Sequence, residues 1–545
     1  MYIGIDGGKQ CIQVVEGENL LQVLRREGVI IPAHCGGKGN CGKCKVQVLS
    51  DKTIPYSPKD LQLLSETERQ QGYRLACTLS IYDDLQIRVK EEQEQLTRKS
   101  TTFLLPEWCL ATIHNQLQER IDPEYGVAFD IGTTTVVGML WDNTNGRLLQ
   151  IEAKTNPQRV VATDVIGRIQ YSMESKEKKE QLYHLIITCL NDMIQGWQTK
   201  RREQGCEPYV ITKVCIVGNT TMSLLAQNQE VVQLIHPPYP EEFYMGKQYE
   251  GRQTELMIDD QAQVYYLPGI GGHVGSDITA MMLATNLVHL EGISLAIDIG
   301  TNGEMVLCKD GIYKSCSTAA GPAFEGACIH FGMRAQEGAI EAVSMNETGV
   351  KLQIIRSKEA QGICGSGLID AIAALLEVGL IDSSGRMLEM DEAIACGVPK
   401  ILATRMQKKE EQMQFVLQYR YAKDPVVITQ QDVREVQLAK GAIAAGMQIL
   451  LQEEGITEKQ VDHFFLAGTF GSYLNTQNAI RIGLLPNLPV EKIHSVGNAA
   501  GVGASMALLS EVYQKECNSI AKQTKQLELS MRSEFQETFL QCMEF

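Results

Sequence analysis

The sequence predicts a multidomain protein, with a small α+β unit at the N-terminus followed by a larger, two-lobed α/β unit. The 545 residues are too many for one hydrophobic core, because single domains rarely exceed about 250–300 residues. Three cysteines and four glycines crowd one short loop near the N-terminus, and a strand–turn–strand pattern occurs twice farther along the chain. We therefore expect a small cysteine-rich domain and a second unit built by duplication.

The composition excludes several classes of partner. A net charge of −16 argues against nucleic acid or an anionic membrane as the main partner. No stretch approaches the roughly 20 apolar residues that span a bilayer, and the start MYIGIDGGKQ lacks the features of a secretory signal. The 16 cysteines are therefore expected to be thiols, because the cytosol keeps thiols reduced. These features predict a cytoplasmic protein, and the many thiols favour an anaerobic host.

Residues 1–92 are predicted to form the small α+β unit. Two alternating stretches around a Gly-Gly turn predict a β-hairpin. The apolar spacing of EGENLLQVLRREGV (16–29) predicts a short helix that ends at Gly28. KVQVL (45–49) and LQIRV (85–89) predict two further strands of the same unit.

The loop HCGGKGNCGKCK (34–45) supplies most of a predicted metal site. The spacing is C-x5-C-x2-C with a fourth cysteine farther on, one residue longer in the first gap than the plant-type [2Fe–2S] pattern. Zinc also takes four cysteines, but zinc ribbons usually pair two C-x2-C knuckles and only one is present here. The spacing favours a [2Fe–2S] cluster, with zinc as the alternative. The candidate metal ligands are Cys35, Cys41, Cys44 and Cys77.

The glycines of this loop support the cluster. They let the backbone wrap closely around the ligands and direct its N–H groups toward the sulfur atoms. With the hairpin, the helix and the distant cysteine, the stretch resembles the plant-type and adrenodoxin-like ferredoxins. The resemblance implies a ferredoxin-like (β-grasp) domain that transfers electrons.

A linker is predicted over 93–124, because EEQEQLTRKSTT (91–102) is polar and uneven in charge. Leu and Ile spacing predicts that the later part of this region is partly helical. The first lobe of the large unit is predicted over 125–285 and the second lobe over 286–545.

The repeated pattern occurs in GVAFDIGTTTVVGMLWDNTNG (126–146) and SLAIDIGTNGEMVLCKDG (294–311), 168 residues apart. Each apolar strand delivers an aspartate, Asp130 or Asp298, into a Gly-Thr turn. Glycine lets a phosphate approach the backbone, hydroxyl and N–H groups bind its oxygens, and the aspartate can hold hydrated Mg²⁺. The repetition therefore predicts a duplicated two-lobed fold that binds a nucleotide.

Further stretches fit alternating strands and helices. Apolar strands entering glycine-rich turns are predicted in 214–225, 264–283 and 464–474, and an amphipathic helix in 431–451. This set resembles the acetate and sugar kinase, heat-shock protein and actin superfamily, in which two ribonuclease-H-like lobes bind ATP. The resemblance implies that Gly468 and Gly471 form the adenosine turn. No Walker A loop competes, because no Gly-Lys pair precedes Ser or Thr.

The whole chain resembles the reductive activators of corrinoid proteins, which join a [2Fe–2S] ferredoxin domain to such an ATPase. The motifs that carry this resemblance are HCGGKGNCGKCKV, AFDIGTTTVV, AIDIGTNGE, AGPAFEGA, ICGSGLID, REVQLAKGAI and FLAGTFG. It implies an ATP-dependent activity that passes one electron to Co(II) and regenerates Co(I) in the corrinoid protein of a methyltransferase system. A low-potential electron donor and a homodimer are also implied.

The resemblance assigns roles to individual residues. The phosphate- and Mg²⁺-binding candidates are Gly132, Thr133, Thr134, Gly300, Thr301 and Asn302, with Asp130, Asp298 and Glu304 as candidate catalytic residues. Glu304 could instead be a solvated turn glutamate. Which of the two aspartates holds the metal stays open.

Three rival functions are also compatible with parts of this pattern. One is a sugar-kinase-type phosphotransferase with an accessory redox domain. Another is a ferredoxin whose ATPase half serves as a nucleotide-sensing scaffold, although both Gly-Thr turns are intact. The third is an activator of radical-type dehydratases, which the C-x5-C-x2-C spacing argues against because those proteins bridge a [4Fe–4S] cluster between subunits.

Overall fold

The computed structural model describes residues 1–5, 10–27, 29, 31, 37, 39, 42, 44–49, 54–89, 104–117, 124–235, 239–240, 244–409, 411–471 and 473–545. Across these ranges no helix is long and apolar enough to cross a membrane. The domain boundaries at 92, 124 and 285 stay a prediction from the sequence.

The N-terminal domain is a five-stranded mixed sheet with helices packed on it. Its strands are β1 (Tyr2–Ile5), β2 (Gln10–Gln13), β3 (Lys45–Val48), β4 (Tyr73–Leu75) and β5 (Leu85–Val89), and its helices are α1 (Leu20–Arg26), α2 (Pro58–Leu63) and α3 (Glu66–Gln70). The strand order is β2-β1-β5-β3-β4, with β1 parallel to β5 and the other pairs antiparallel. The predicted hairpin and the two predicted strands are confirmed.

Helix α1 supplies one side of the core of this domain. It begins after Asn19, whose side chain accepts hydrogen bonds from the N–H groups of the first turn. Its apolar face is buried against the sheet, as the sequence predicts, through Leu20, Leu21, Val23 and Leu24. The helix ends at Arg26, and Gly28 lies outside the described residues.

The first lobe contains a six-stranded sheet. Its strands are β6 (Tyr125–Ile131), β7 (Thr135–Asp142), β8 (Arg147–Thr155), β9 (Ile211–Gly218), β10 (Lys247–Glu250) and β11 (Gln263–Tyr266). The helices of this part of the chain are α4 (Glu107–Leu117), α5 (Val165–Glu174), α6 (Lys176–Glu203), α7 (Thr220–Leu225) and α8 (Ser276–Ala284). The strand order is β10-β11-β9-β6-β7-β8. Helix α4 confirms that part of the predicted linker is helical.

The second lobe contains a six-stranded sheet and two smaller ones. Its strands are β12 (Ser294–Ile299), β13 (Gly303–Lys309), β14 (Ile312–Thr318), β15 (Ala339–Asn346), β16 (Gly349–Ile354), β17 (Gly362–Ile363), β18 (Met406–Lys409), β19 (Gln412–Arg420), β20 (Lys423–Thr429), β21 (His463–Ala467), β22 (Ile493–Gly497) and β23 (Thr524–Gln526). Its helices are α9 (Gly365–Glu377), α10 (Met390–Ala395), α11 (Lys400–Ala403), α12 (Gln430–Glu453), α13 (Gly468–Gly471), α14 (Thr476–Arg481), α15 (Ala499–Leu509), α16 (Glu511–Gln523) and α17 (Ser533–Gln541). The large sheet has the order β22-β21-β12-β13-β14-β23.

Five strands of each large sheet share one topology, which confirms the predicted duplication; the sixth strands, β10 and β23, lie at opposite edges. In the first lobe β6, β7 and β8 form an antiparallel meander, and β9 and then β11 extend it in parallel. In the second lobe β12, β13 and β14 form the meander, and β21 and β22 extend it. Asp130 and Asp298 are the penultimate residues of the equivalent strands β6 and β12. The repeat in the sequence therefore marks the same point in both sheets.

Helices α8 and α15 lie between the two sheets and join the lobes. Both belong to one apolar cluster that includes Ala128 and Met139 of the first sheet and Ala296 and Val306 of the second. The helices touch closely where a Cβ at Gly503 would lie 2.0 Å from the carbonyl oxygen of Ala280. Small residues thus let two helices fit in the space between the lobes.

Candidate functional site

The repeated turns are closed by their own backbone. In the first turn the N–H of Gly132 donates to the carbonyl of Thr135 at 3.0 Å. In the second turn the N–H of Gly300 donates to the carbonyl of Asn302 at 2.9 Å. A Cβ on residue 132 would lie 2.7 Å from the carbonyl oxygen of Thr135, so the first turn requires glycine.

Side chains from three other segments hold the first turn in place. Asn156 Nδ2 donates to the carbonyl of Gly132 at 2.8 Å, and Asn219 Nδ2 donates to the Thr133 hydroxyl at 3.0 Å. Arg168 Nη2 donates to the carbonyl of Thr133 at 2.5 Å. Burial lowers the pKa of Arg168 to about 9, which leaves a cation at neutral pH behind the turn. The turn is therefore held in place by side chains from three other segments before any ligand binds.

One carboxylate connects the two turns across the cleft between the lobes. The Thr134 hydroxyl donates to Glu325 Oε2 at 2.8 Å, and the Thr301 hydroxyl donates to Glu325 Oε1 at 2.5 Å. Thr134 belongs to the first lobe, whereas Thr301 and Glu325 belong to the second. The two predicted phosphate turns therefore face each other across a single side chain.

Four buried carboxyl groups lie at the cleft between the lobes, those of Asp130, Asp277, Asp298 and Glu304. Burial raises the pKa of Asp298 to about 6. Burial and the charge of Asp298 raise the pKa of Asp130 to about 7, against a hydrogen bond from Asn498. Burial and the charges of Asp298 and Asp130 raise the pKa of Asp277 to about 8. For Glu304, which is 8% exposed, burial and the charge of Asp277 raise the pKa well above its usual range.

This carboxyl cluster fits a site for Mg²⁺ bound together with phosphate. Among the residues that the structure describes, no three His, Cys, Asp or Glu side chains are close enough together to hold an ion by themselves. Mg²⁺ usually binds proteins through one or two carboxylates and completes its shell with phosphate oxygens and water. A cation near Asp130 or Asp298 would also offset the negative charges that, after burial, help to raise the pKa values of the neighbouring carboxyl groups. With the threonine hydroxyls nearby, the donor set suits Mg-ATP.

The predicted adenosine turn reaches the same site at one of its two glycines. Gly468 has φ +88°, and a Cβ there would lie 2.6 Å from Asp298 Oδ1. A side chain at this position would therefore fill the space beside Asp298. A Cβ at Gly471 would instead point at Leu466, 2.8 Å from its Cγ, within the second lobe.

The structure brings most of the nucleotide-site candidates together. The members of this group are Asp130, Gly132, Thr133, Thr134, Asp298, Gly300, Thr301, Asn302, Glu304 and Gly468. Their individual roles stay a prediction. Glu304 pairs with Asp298 across β12 and β13 and is buried, so it is not the solvated turn residue that the sequence left open.

Sequence reasoning missed six further residues that hold or line the cleft: Asn156, Arg168, Asn219, Asp277, Glu325 and Asn498. Asp277 follows a glycine-rich turn at the start of α8, and Glu325 lies in the motif AGPAFEGA. Polar residues that follow such turns were the available signal. Arg168 gave no signal, because it lies inside an otherwise ordinary helix.

Two of the four candidate cluster ligands lie among the described residues, Cys44 in the loop and Cys77 beyond it. Cys44 directly precedes β3 and is buried, and its carbonyl accepts from the N–H of Ala76 at 2.8 Å; Cys77 follows Ala76 in the short turn Ala76–Thr78 after β4. A Cβ at Gly37 would lie 4.0 Å from the Cβ of Cys77, so Gly37 lies beside that cysteine. Cys35 and Cys41 lie outside the described residues.

The glycines of the loop have the conformations that its predicted role requires. Gly37, Gly39 and Gly42 have φ of +94°, +71° and +63°, in the left-handed region that favours glycine. These three glycines allow tight turns of the backbone, and Cys44 and Cys77 offer two thiols as ligands. The residues present fit an iron–sulfur cluster.

The fold and these two sites define a class of protein, a two-lobed ATPase joined to a ferredoxin-like domain. Sequence profiles agree along nearly the whole chain. They match the 2Fe-2S iron-sulfur cluster binding domain over 3–81, the RACo middle region over 125–290 and the C-terminal domain of RACo, the ASKHA domain, over 292–545.

Individual proteins are similar over most of their length. The chain is 36% identical to the corrinoid activation enzyme RamQ of Eubacterium limosum, over 97% of this chain and 96% of that protein. It is 24% identical to a [Co(II) methylated amine-specific corrinoid protein] reductase of Methanosarcina barkeri, over 76% of this chain and 75% of that one. A solved structure of a reductive activator for corrinoid, iron-sulfur protein superimposes with a TM-score of 0.67 at 30% identity, covering 100% of this chain and 98% of that one.

The chain belongs to the RACo family of corrinoid activators. The ferredoxin-like domain and the ATPase lobes expected from the sequence are confirmed, as are the [2Fe–2S] cluster and Mg-ATP as cofactors.

Proposed function

We propose that this protein uses ATP to drive the reductive reactivation of a corrinoid protein. It accepts one electron in its N-terminal domain and passes that electron to the Co(II) centre of the partner, which becomes Co(I). No bond to substrate is formed, and one electron leaves the protein for each cobalt reduced. The [2Fe–2S] cluster supplies the one-electron carrier when it is bound.

The observation that carries this proposal is the presence of both sites in one chain. In the N-terminal domain the carbonyl of Cys44 accepts a hydrogen bond from Ala76, the residue before Cys77, and the two Gly-Thr turns face each other between the lobes. An electron carrier alone needs no nucleotide cleft, and a kinase alone needs no cysteine loop. Similarity over nearly the full length to corrinoid activators supports the same conclusion.

The nucleotide is proposed to act by changing the relative position of the lobes. The site is made from both lobes, so phosphate and Mg²⁺ bound there interact with each of them at once. Asp130, Asp298 and Glu304 surround the metal and phosphate in this scheme, and the hydroxyls of Thr134 and Thr301 bind phosphate oxygens. Closure of the lobes would then favour a complex in which the cobalt is easier to reduce.

The partners follow from this activity. The electron acceptor is the corrinoid protein of a methyltransferase system, and a low-potential donor reloads the N-terminal domain after each transfer. We further propose that the protein is cytoplasmic and works as a homodimer. The proposed cluster ligands are Cys35, Cys41, Cys44 and Cys77.

The direct test follows the cobalt spectroscopically under anaerobic conditions. The reduced protein is mixed with Mg-ATP and a Co(II) corrinoid protein, and Co(I) absorbance should appear in an ATP-dependent manner. Asp298→Asn should slow its appearance by roughly tenfold or more, because it removes charge where Mg²⁺ and phosphate bind. Asp310→Asn, in the exposed turn after β13, is the matched control and should not change the rate.

Two outcomes would overturn the proposal. One is the absence of Co(I) with every corrinoid protein of the same organism. The other is ADP formation that depends on a small-molecule substrate and not on a corrinoid protein, which would favour a sugar-kinase-type phosphotransferase.

A further inference from the structure

Glu325 is the one described residue whose side chain bonds to both repeated turns. We propose that it is a positioning residue that competes with the phosphates of ATP for the hydroxyls of Thr134 and Thr301. This inference rests on the proposed ATP binding, and it names a regulator of that site within the chain itself.

The backbone around Glu325 is held firmly. Glu325 ends a short turn, Ala323–Glu325, and the following Gly326 has φ +80°. A Cβ at Gly326 would lie 2.7 Å from the N atom of Met333, so this close approach requires glycine. The preceding Phe324 is buried and stacks on Phe470 with ring centroids 5.4 Å apart. The carboxylate is therefore presented to the cleft from a fixed position.

The competition follows from the chemistry of a hydroxyl group. A threonine hydroxyl has one proton to donate, and both carboxylate and phosphate oxygens act as acceptors. Thr134 and Thr301 each donate that proton in a hydrogen bond to Glu325, at 2.8 Å and 2.5 Å. When either threonine donates to a phosphate oxygen, its bond to Glu325 must break.

Charge makes the two arrangements exclusive. A carboxylate and a phosphate beside the same hydroxyls repel each other, more strongly in a partly buried cleft than in water. Arg168, whose guanidinium interacts with Glu325 electrostatically, offsets one negative charge and cannot offset both groups. An arriving phosphate must therefore displace the carboxylate.

Displacement has a consequence for the whole cleft, because the Thr134–Glu325 bond crosses from the first lobe to the second. Phosphate binding replaces this bond with contacts to the ligand. The Thr134–Glu325 bond between the lobes is thus replaced by contacts that both lobes make with the nucleotide. Glu325 therefore lowers the affinity of the cleft for Mg-ATP.

The test measures the affinity for Mg-ATP by titration calorimetry on the full-length protein. Glu325→Gln keeps the size of the side chain but removes its charge and one acceptor, so Mg-ATP should bind roughly tenfold more tightly. Glu337→Gln, an exposed carboxylate of the same lobe, is the matched control and should bind as the parent does. A gain in affinity is the informative sign, because damage to the fold would weaken binding.

A double-mutant cycle separates competition for hydroxyls from a general effect of charge. In a Thr134→Val, Thr301→Val background, Glu325→Gln should produce a much smaller gain, since neither hydroxyl is there to be released. An equal gain in that background would overturn the proposal, as would unchanged or weaker binding by Glu325→Gln in a variant with the parent's thermal midpoint. Glu325→Asp, which is too short to reach both threonines, should bind with intermediate affinity.

The outcome is distinguishable from failure of the proposed function. If the protein binds Mg-ATP but never forms Co(I), the corrinoid proposal fails while the affinity series still decides the role of Glu325. If the parent protein does not bind Mg-ATP, both proposals fail.

Discussion

At the scale of single residues, the cleft is characterised by buried carboxyl groups whose charges influence one another. Asp130 and Asp298 come from equivalent strands, and Asp277 and Glu304 come from a helix and a neighbouring strand. Burial is the first cause of the raised pKa of all four groups, and neighbouring negative charges add to it for all of them except Asp298. A divalent cation is the ligand that best relieves this arrangement.

The cysteines allow a test at the same scale. Cys77→Ser should remove most of the bound iron and the visible absorption of the cluster, because serine replaces a thiolate ligand next to Cys44. Cys11→Ser is the control, since Cys11 is exposed on β2 and lies outside the cysteine pattern. Iron content and electron paramagnetic resonance of the reduced protein measure the effect. Full iron occupancy in Cys77→Ser would exclude this cysteine as a ligand.

At the scale of elements, the crossing of α8 and α15 decides how the lobes meet. The two helices share an apolar cluster with both sheets, and Ser505 of α15 accepts a hydrogen bond from Trp141 Nε1 of the first lobe at 3.0 Å. The N-termini of both helices carry residues of the cleft, Asp277 on α8 and the capping Asn498 on α15. Movement of these helices would therefore change the site and the lobe contact together.

Two helical glycines give a matched test of this crossing. Gly503→Ala should destabilise the protein by about 1–3 kcal/mol, because the new Cβ would overlap the carbonyl of Ala280 and force the helices apart. Gly196→Ala lies within α6, where a Cβ would meet only Glu152 Oε2 at 3.9 Å, and it should be neutral or stabilising by about 0.5–1 kcal/mol. Scanning calorimetry should show a lower thermal midpoint for the first variant alone. Equal thermal midpoints for the two variants would mean that α8 and α15 can move apart without loss of stability.

At the scale of the whole molecule, the N-terminal domain and the nucleotide cleft come from separate parts of the chain, and helix α5 interacts with both. Burial raises the pKa of Tyr171 on α5, and the charge of Arg25 from α1 acts against that rise. Three residues earlier on the same helix, Arg168 holds the carbonyl of Thr133. Helix α5 therefore lies within electrostatic range of Arg25 in the N-terminal domain, and it also binds the phosphate turn of the first lobe.

Removal of iron and removal of Mg²⁺, in separate experiments, test how far the cluster site and the nucleotide site depend on each other. Every side chain assigned to the nucleotide comes from 125–545, so protein freed of iron by chelation under reducing conditions should bind Mg-ATP within about twofold of the intact protein. Removal of Mg²⁺ by EDTA should instead weaken ATP binding strongly. Titration calorimetry on the full chain measures both. Loss of ATP binding with the iron alone would show that the N-terminal domain forms part of the nucleotide site.

Much of the fold could be predicted because its signals are local. The repeated strand–turn–strand pattern, the α1 face and the long helix α12 each lie within about 25 residues, and backbone sterics and apolar periodicity determine them. The order of strands in each sheet agrees with the duplication that the repeat indicated. Positions such as Arg168 could not be predicted, since an arginine inside a helix is normally solvated and nothing nearby shows that it will be buried.

By itself, the sequence determined the kinds of chemistry that the protein carries: a cysteine loop of ferredoxin type and two Asp-Ile-Gly-Thr turns on duplicated strands. Only the tertiary structure decided how those parts interact. The two turns are 168 residues apart in the chain, and their meeting at Glu325 depends on how two sheets pack around α8 and α15. Side-chain contacts between distant segments depend on the packing of the whole core, so a pattern of neighbouring residues does not contain them.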